Sequence, residues 1–188
     1  DLQYRTTDIE IVGSSKTERI APDETLLDQA AEILRTAERP VIWAGGGVNI
    51  SGAGQELTAF AERLGAPVVT TIEGRGSISE THPLSLGFRT DRVSGLEIFE
   101  EADAVLAVGT RFQNYATRVW SLPMPEKLVH VDVDPEVIGR NYPAAVAVVG
   151  DAKLGLEGLL KRVNEGNVDD QFVDRCLKIR ASDEQAVR

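Results

Sequence analysis

Five apolar runs in this chain are continuous rather than alternating: Val41–Ala44, Pro67–Ile72, Ala104–Val108, Leu128–Val133 and Val146–Val149. Strands buried on both faces read this way, so the runs predict a parallel sheet held between helix layers. Helical spacing fills the intervals. Leu26, Leu27, Ala30, Ala31, Ile33, Leu34 and Ala37 follow Asp23, a residue suited to an N-cap. Leu57, Phe60, Ala61 and Leu64 predict a helix over 53–64, with Gly65 as its stop. A short helix is expected over 95–101, and a last clear one over 152–163, capped by Asp151. Residues 73–83 and 109–125 read as loops. Residues 1–22 read as an arm, with an extended piece near Ile9–Val12. Residues 164–188 are strongly polar and read as an outgoing linker or a helix without a partner.

In a parallel α/β sheet, ligands bind beyond the carboxyl ends of the strands. The first run ends in Gly45-Gly46-Gly47. Glycine lets a chain turn with positive φ and lets another group approach the backbone. The two readings are a diphosphate-facing turn and a tight connection that packs the next helix. Val48–Ile50 breaks any GxGxxG pattern, and Gly52 and Gly54 come too late to restore it. Thr71 closes the second run and offers a hydroxyl to a ligand or to the next turn. Gly109-Thr110-Arg111 closes the third, where an arginine can grip a phosphate in a bidentate way or form an interdomain ion pair. Asp132 closes the fourth and suits a ribose hydroxyl, while Asp134 before Pro135 suits a turn. Asp151 closes the fifth, first as a cap and second as a ligand contact.

The rest of the composition excludes more than it assigns. A formal charge of −10 argues against nucleic acid and anionic membrane surfaces as partners. No run approaches the ~20 apolar residues of a membrane helix. The single cysteine, Cys176, excludes an internal disulfide framework and a cysteine zinc site, and with it a sirtuin-type frame. A reducing cytoplasm is the simplest setting. His82 lies in a loop, and His130 lies inside the fourth run, where a core role is expected. Triad, HExxH, GxSxG and P-loop patterns are absent. No complete catalytic set is visible, so the chain reads as a binding platform. It begins at Asp1 without methionine, and an excised fragment is expected.

Taken in order, several segments resemble the central domain of thiamine-diphosphate-dependent enzymes, with the acetolactate synthase (acetohydroxyacid synthase) group nearest. They are Arg39-Pro40-Val41…Gly45-Gly46-Gly47, Leu64-Gly65-Ala66-Pro67-Val68…Thr71…Gly74-Arg75-Gly76, Asp103-Ala104-Val105…Gly109-Thr110-Arg111-Phe112, and His130-Val131-Asp132-Val133-Asp134-Pro135…Ile138-Gly139…Gly150-Asp151. The resemblance covers about residues 22–165. It implies a Rossmann-like, three-layer fold of the DHS-like NAD/FAD-binding type, with a six-stranded parallel sheet and helices on both faces. The expected division is an arm over 1–22, the central domain over 23–165 and a polar linker over 166–188.

The resemblance also implies a function. The intact enzyme would be a carboligase or decarboxylase, a transferase or lyase acting on 2-oxo acids, and a homodimer or homotetramer. Thiamine diphosphate and Mg2+ would be bound by flanking pyrimidine-binding and diphosphate-binding domains of the same polypeptide. This domain alone is expected to be inactive. Relatives hold FAD, ADP or coenzyme A here, or nothing. The matching positions are Gly45, Gly46, Gly47, Thr71, Ile72, Leu86, Gly87, Phe88, Arg89, Gly109, Arg111, Asp132, Val133, Asp151 and Ala152. Flavin-binding members usually continue the third strand end as Arg-Phe-Asp-Asp-Arg. Here it reads Arg111-Phe112-Gln113-Asn114-Tyr115, so the second arginine and both acids are lost. FAD, ADP and a ligand-free scaffold therefore all stand as expectations.

Overall fold

The computed structural model describes residues 18–89, 93–164 and 166–186. The elements are α1 (Glu24–Arg35), β1 (Pro40–Ala44), α2 (Gly46–Ser51), α3 (Gly54–Leu64), β2 (Val68–Thr70), β3 (Ser85–Gly87), α4 (Val93–Glu101), β4 (Ala104–Val108), β5 (Leu128–Asp132), β6 (Val146–Val149), α5 (Ala152–Leu160) and α6 (Asp170–Ala186). A single 3-10 turn, Tyr115–Thr117, interrupts the β4–β5 loop. The extended piece expected near Ile9–Val12 lies outside the described residues.

Six parallel strands form one sheet in the order β3-β2-β1-β4-β5-β6. The order reverses between β1 and β4, and such a switch point opens a crevice at the strand ends. Both faces are covered. Ile42, Ala44, Leu106, Val108, Val129 and Val131 pack with α1, α3 and α5. Val41, Trp43, Val105, Ala107 and Leu128 face the other side, with Ile98, Phe99 and Phe172. Successive strand residues point to opposite faces, so burial on both sides explains the continuous apolar runs. Trp43 anchors the second layer, with ring centroids 5.2 Å from Phe99 and 5.3 Å from Phe112.

Local signals account for the boundaries. Asp23 accepts the Thr25 and Leu26 N–H groups at 2.8 and 3.1 Å and starts α1. Gly65 ends α3 at φ +73. The helix expected over 53–64 is preceded by a separate turn of helix, α2, and Gly52 at φ +66 divides the two. β2 is shorter than its apolar run: the Thr71 N–H makes the last bond to β1, at the Ala44 carbonyl 3.0 Å away, and the Thr71 carbonyl then accepts the Gly74 N–H as the chain turns out of the sheet.

Two parts differ from the pattern read off the residues. β3 is three residues long, pairs only with β2 and carries a register irregularity, so it leaves no periodic signal. The stretch expected as a polar linker holds α6. Its own Phe172 and Cys176 are buried, and its Arg180 donates to the Ser85 carbonyl at 2.6 Å and the Glu80 carbonyl at 3.0 Å. Its apolar stripe is narrow, and its remaining contacts are polar. That is why composition alone suggested a linker.

Candidate functional site

The carboxyl ends of β1, β4, β5 and β6 open on one groove. It consists of two adjoining clefts of about 230 Å³ and 460 Å³ that share Gly47, Ile50, Gly109 and Arg111. The floor is backbone. The Gly45 N–H donates to the Val108 carbonyl, and the Gly47 N–H donates to the Gly109 carbonyl, both at 2.9 Å. A Cβ on Gly47 would sit 2.6 Å from Gly109 Cα, and one on Gly45 would run into the Gly109 carbonyl oxygen. None of Gly45, Gly46 and Gly47 has positive φ; Gly109, opposite them, sits at φ +59. Gly45 and Gly47 serve close approach to the Gly109 loop, and Gly46 faces Glu73; none serves a left-handed turn.

Above this floor stands Arg111, exposed at the end of β4. Its guanidinium forms no ion pair or hydrogen bond among the described residues. Its carbonyl is held by the Asn141 side-chain amide at 3.0 Å. Thr71 is buried at the opposite rim, and its hydroxyl accepts the Gly74 N–H at 3.0 Å, the turn-capping role. Glu73, Gln113 and Ala116 complete the smaller cleft.

The larger cleft runs past Asp132, Val133, Asp151 and Ala152. Asp132 is 8% exposed, and its Oδ1 accepts the Asp134 N–H at 3.0 Å. Asp151 caps α5 by accepting the Lys153 and Leu154 N–H groups at 3.0 and 3.2 Å. The wall opposite comes from Glu18, Arg19 and Ile20, the end of the arm.

His130 supports the groove from below. It is fully buried in β5, 5.1 Å from the Phe112 ring, and its Nε2 lies 2.9 Å from the Thr110 carbonyl. A carbonyl only accepts, so Nε2 carries the proton and donates. Burial pushes the His130 pKa below its ordinary value, against the raising effects of the Thr110 bond and of Asp132. The neutral ring thereby fixes the turn that presents Arg111, in which Phe112 adopts φ +47. The expected core role of His130 fits this placement.

The structure gathers Gly46, Gly47, Thr71, Gly109, Arg111, Asp132, Val133, Asp151 and Ala152 around the groove. Gly45 lies beneath the floor. Ile72 is half-exposed beside Thr71 and lines neither cleft. Leu86, Gly87, Phe88 and Arg89 sit at the β3 end. There Leu86 is core, Phe88 stacks with Tyr115 at 6.0 Å, and Arg89 pairs with Asp183 and Glu184 of α6. Residue patterns missed Arg19, Ile50, Thr110 and Glu73. Arg19 lies 132 residues from its partner Asp151, and no local pattern marks such a pair. Cys176 is buried and its pKa pushed up to about 12, chiefly by burial and then by Glu101, which makes it inert. Among the described residues, no group of three or more His, Cys, Asp or Glu side chains could hold a metal ion, and no helix is long and apolar enough to cross a membrane.

Comparison with known proteins agrees with this geometry. Residues 27–159 match the family model described as thiamine pyrophosphate enzyme, central domain. A probable acetolactate synthase large subunit of Methanocaldococcus jannaschii is 42% identical over 160 residues, 82% of this chain and 27% of that protein. A probable 2-ketoarginine decarboxylase of Pseudomonas aeruginosa is 42% identical over 166 residues, covering 87% and 29%. A sulfoacetaldehyde acetyltransferase of Roseovarius nubinhibens is 37% identical over 188 residues, covering 95% and 31%. The solved benzoylformate decarboxylase of Polynucleobacter necessarius superposes with a TM-score of 0.67 at 26% identity, covering 86% of this chain and 31% of that one. The chain thus spans less than a third of each of these relatives.

Proposed function

Because this chain belongs to the thiamine pyrophosphate enzyme family, as its central domain, we propose that it serves a carboligase or decarboxylase acting on 2-oxo acids and holds an adenine nucleotide, FAD or ADP, in the groove. Thiamine diphosphate, when bound, supplies the carbanion chemistry of such an enzyme. In this reading that cofactor and Mg2+ are held by flanking domains of the same polypeptide. The isolated chain is then inactive, and the intact enzyme is a homodimer or homotetramer in the cytoplasm. The division into an arm over 1–22, a central domain over 23–165 and a following segment is part of the same reading.

The observation that carries the nucleotide reading is Arg111. It is a cation without an ion-pair partner among the described residues, set over a glycine floor that brings backbone close. A diphosphate fits that arrangement in charge and shape. Asp132, one strand along, suits ribose hydroxyls. Isothermal calorimetry of the 188-residue chain with FAD, ADP and coenzyme A is the test. Binding of FAD or ADP is expected, with Arg111→Gln weakening it by about 10- to 100-fold, the effect of one charge-assisted hydrogen-bond pair. Silence with all three nucleotides overturns the reading.

One observation favours the alternative, a ligand-free scaffold. Arg19 already ties the two walls of the larger cleft together, joining Asp151 to the Ser51 carbonyl. Unchanged binding in Arg111→Gln would remove Arg111 as the diphosphate-gripping residue. The enzymatic reading has its own test: this chain joined to flanking domains should turn over 2-oxo acids in a thiamine-diphosphate-dependent way, and failure with every 2-oxo acid tried overturns it.

A further inference from the structure

The Asp132–Asp151 end of the groove holds more carboxylate than cation, and its nearest cation is already engaged. Asp132, Asp151 and Glu18 line that cleft with two cations, Arg19 and Arg111, and Arg111 is the one assigned above to the diphosphate. The Arg19 Nη1 donates to both Asp151 oxygens, at 2.7 and 2.8 Å, and its Nη2 donates to the Ser51 carbonyl at 2.8 Å. The backbone repeats the link, since the Asp151 N–H donates to the Ile20 carbonyl at 2.8 Å. Arg19 is therefore pinned between the end of α2 and the start of α5. Asp132 is in a different position. Only its Oδ1 is used within the described residues, by the Asp134 N–H.

Resting on the nucleotide reading above, we propose that this end of the groove selects an adenosine whose ribose 2′- and 3′-hydroxyls are free, and rejects one phosphorylated at either position, with Arg19 and Asp132 as the specificity-determining residues. A ribose diol donates, and the unused Asp132 oxygen accepts, so the free sugar complements the wall. A ribose phosphate places up to two further negative charges against Asp132, Asp151 and Glu18. An arginine near such a site commonly accommodates a ribose phosphate. Here it must first leave Asp151. Its departure would strip the counter-charge from a carboxylate that is 14% exposed and committed to capping α5, and would abandon the Ser51 carbonyl. Arg19 makes three charge-assisted contacts in this position, two from Nη1 to the carboxylate and one from Nη2 to the Ser51 carbonyl, so exchanging them for a phosphate gains little and leaves a largely buried acid unpaired. The side chain that would read a ribose phosphate is spent on shaping the wall instead.

Calorimetry with three ligands that differ only at the ribose tests this. They are ADP, 2′-phospho-ADP and 3′-phospho-ADP, titrated into the 188-residue chain. ADP should bind at least tenfold more tightly than either phosphorylated form. Asp132→Asn should narrow that gap by removing a repelling charge. Arg19→Gln should widen it by leaving Asp151 without its counter-charge. The wild-type comparison stands by itself if either variant fails to fold. Phosphorylated forms that bind as tightly as ADP, or tighter with the advantage lost in Arg19→Gln, overturn the selectivity while leaving the nucleotide reading intact. Silence with all three ligands removes the nucleotide reading, and this inference with it.

Discussion

The switch point between β1 and β4 and the edge formed by β3 and α6 are held by different means. At the switch point, backbone bonds to backbone. The Gly45 and Gly47 N–H groups reach the Val108 and Gly109 carbonyls, and Ala44 stands in register with Val108. Nothing there can be adjusted by a rotamer. At the edge, side chains do the joining. Arg180 reaches the Ser85 and Glu80 carbonyls, Arg175 pairs with Glu101 at 2.6 Å, and the Ser94 hydroxyl donates to Asp183 at 2.8 Å. β3 pairs on one side only, and α6 packs against it, as an edge strand requires. A fold built this way keeps its groove floor rigid and leaves its far edge free to vary. Placement of Arg111 starts from the first region, since its turn follows Gly109 directly.

The largest effect that tests this contrast is at the edge. Phe172 is 1% exposed and is the main apolar anchor of α6. Phe172→Ala should cost about 3 kcal/mol or somewhat more, the usual cost of emptying a buried phenylalanine site. If the edge is a separate unit, native-state hydrogen exchange will show α6 amides losing protection while β1 and β4 keep theirs. Uniform loss of protection across all three would break the contrast and make the edge part of a single cooperative core.

The next effect lies at the floor. In Gly47→Ala, the added methyl meets Gly109 backbone that cannot rotate away, so a loss of about 1–3 kcal/mol is expected. Gly76→Ala is the control: φ is +82 there, but nothing lies within 4 Å of the new Cβ. Its cost should be about 1 kcal/mol, from backbone conformation alone. Urea unfolding of both variants ranks them. A Gly47→Ala loss no greater than that of Gly76→Ala would show that the floor yields, and would remove the rigidity assigned to it.

The same contrast explains what could be read from the residues. Caps are local, so Asp23, Gly65 and Asp151 could be placed from their neighbours alone, and each stands where its pattern put it. The continuous runs gave five strands because each is buried on both faces. β3 escaped because three residues on an edge leave no period to detect. α6 was left open between a linker and a helix without a partner, because its buried face is only a stripe around Phe172 and Cys176 and its other ties are to partners far away in sequence. The glycine run was visible, but its purpose was not. Close approach to Gly109 is a contact across 62 positions, whereas a left-handed turn is a local property, and only the latter can be inferred from neighbours. Arg19 shows the same limit at the site itself.

The smallest effect concerns the buried histidine that joins floor and groove. His130 is neutral in the folded chain, and burial holds its pKa below the ordinary value near 6.5. The unfolded chain takes up a proton as pH falls through about 6.5, whereas the folded chain resists until its own lower pKa is reached. Stability is therefore unaffected above that pH and declines below it, with the loss growing until the folded pKa is passed. Between pH 7.5 and 5.5 this one group should lower stability, by an amount set by how far burial depresses its folded pKa. His130→Gln keeps an amide donor for the Thr110 carbonyl but cannot titrate. Its unfolding free energy should fall less over that interval than that of the unmodified chain, by the same amount. Parallel slopes for the two proteins would mean that His130 takes up its proton in the folded state as readily as in the unfolded one. The turn carrying Arg111 would then be held by something other than a neutral ring.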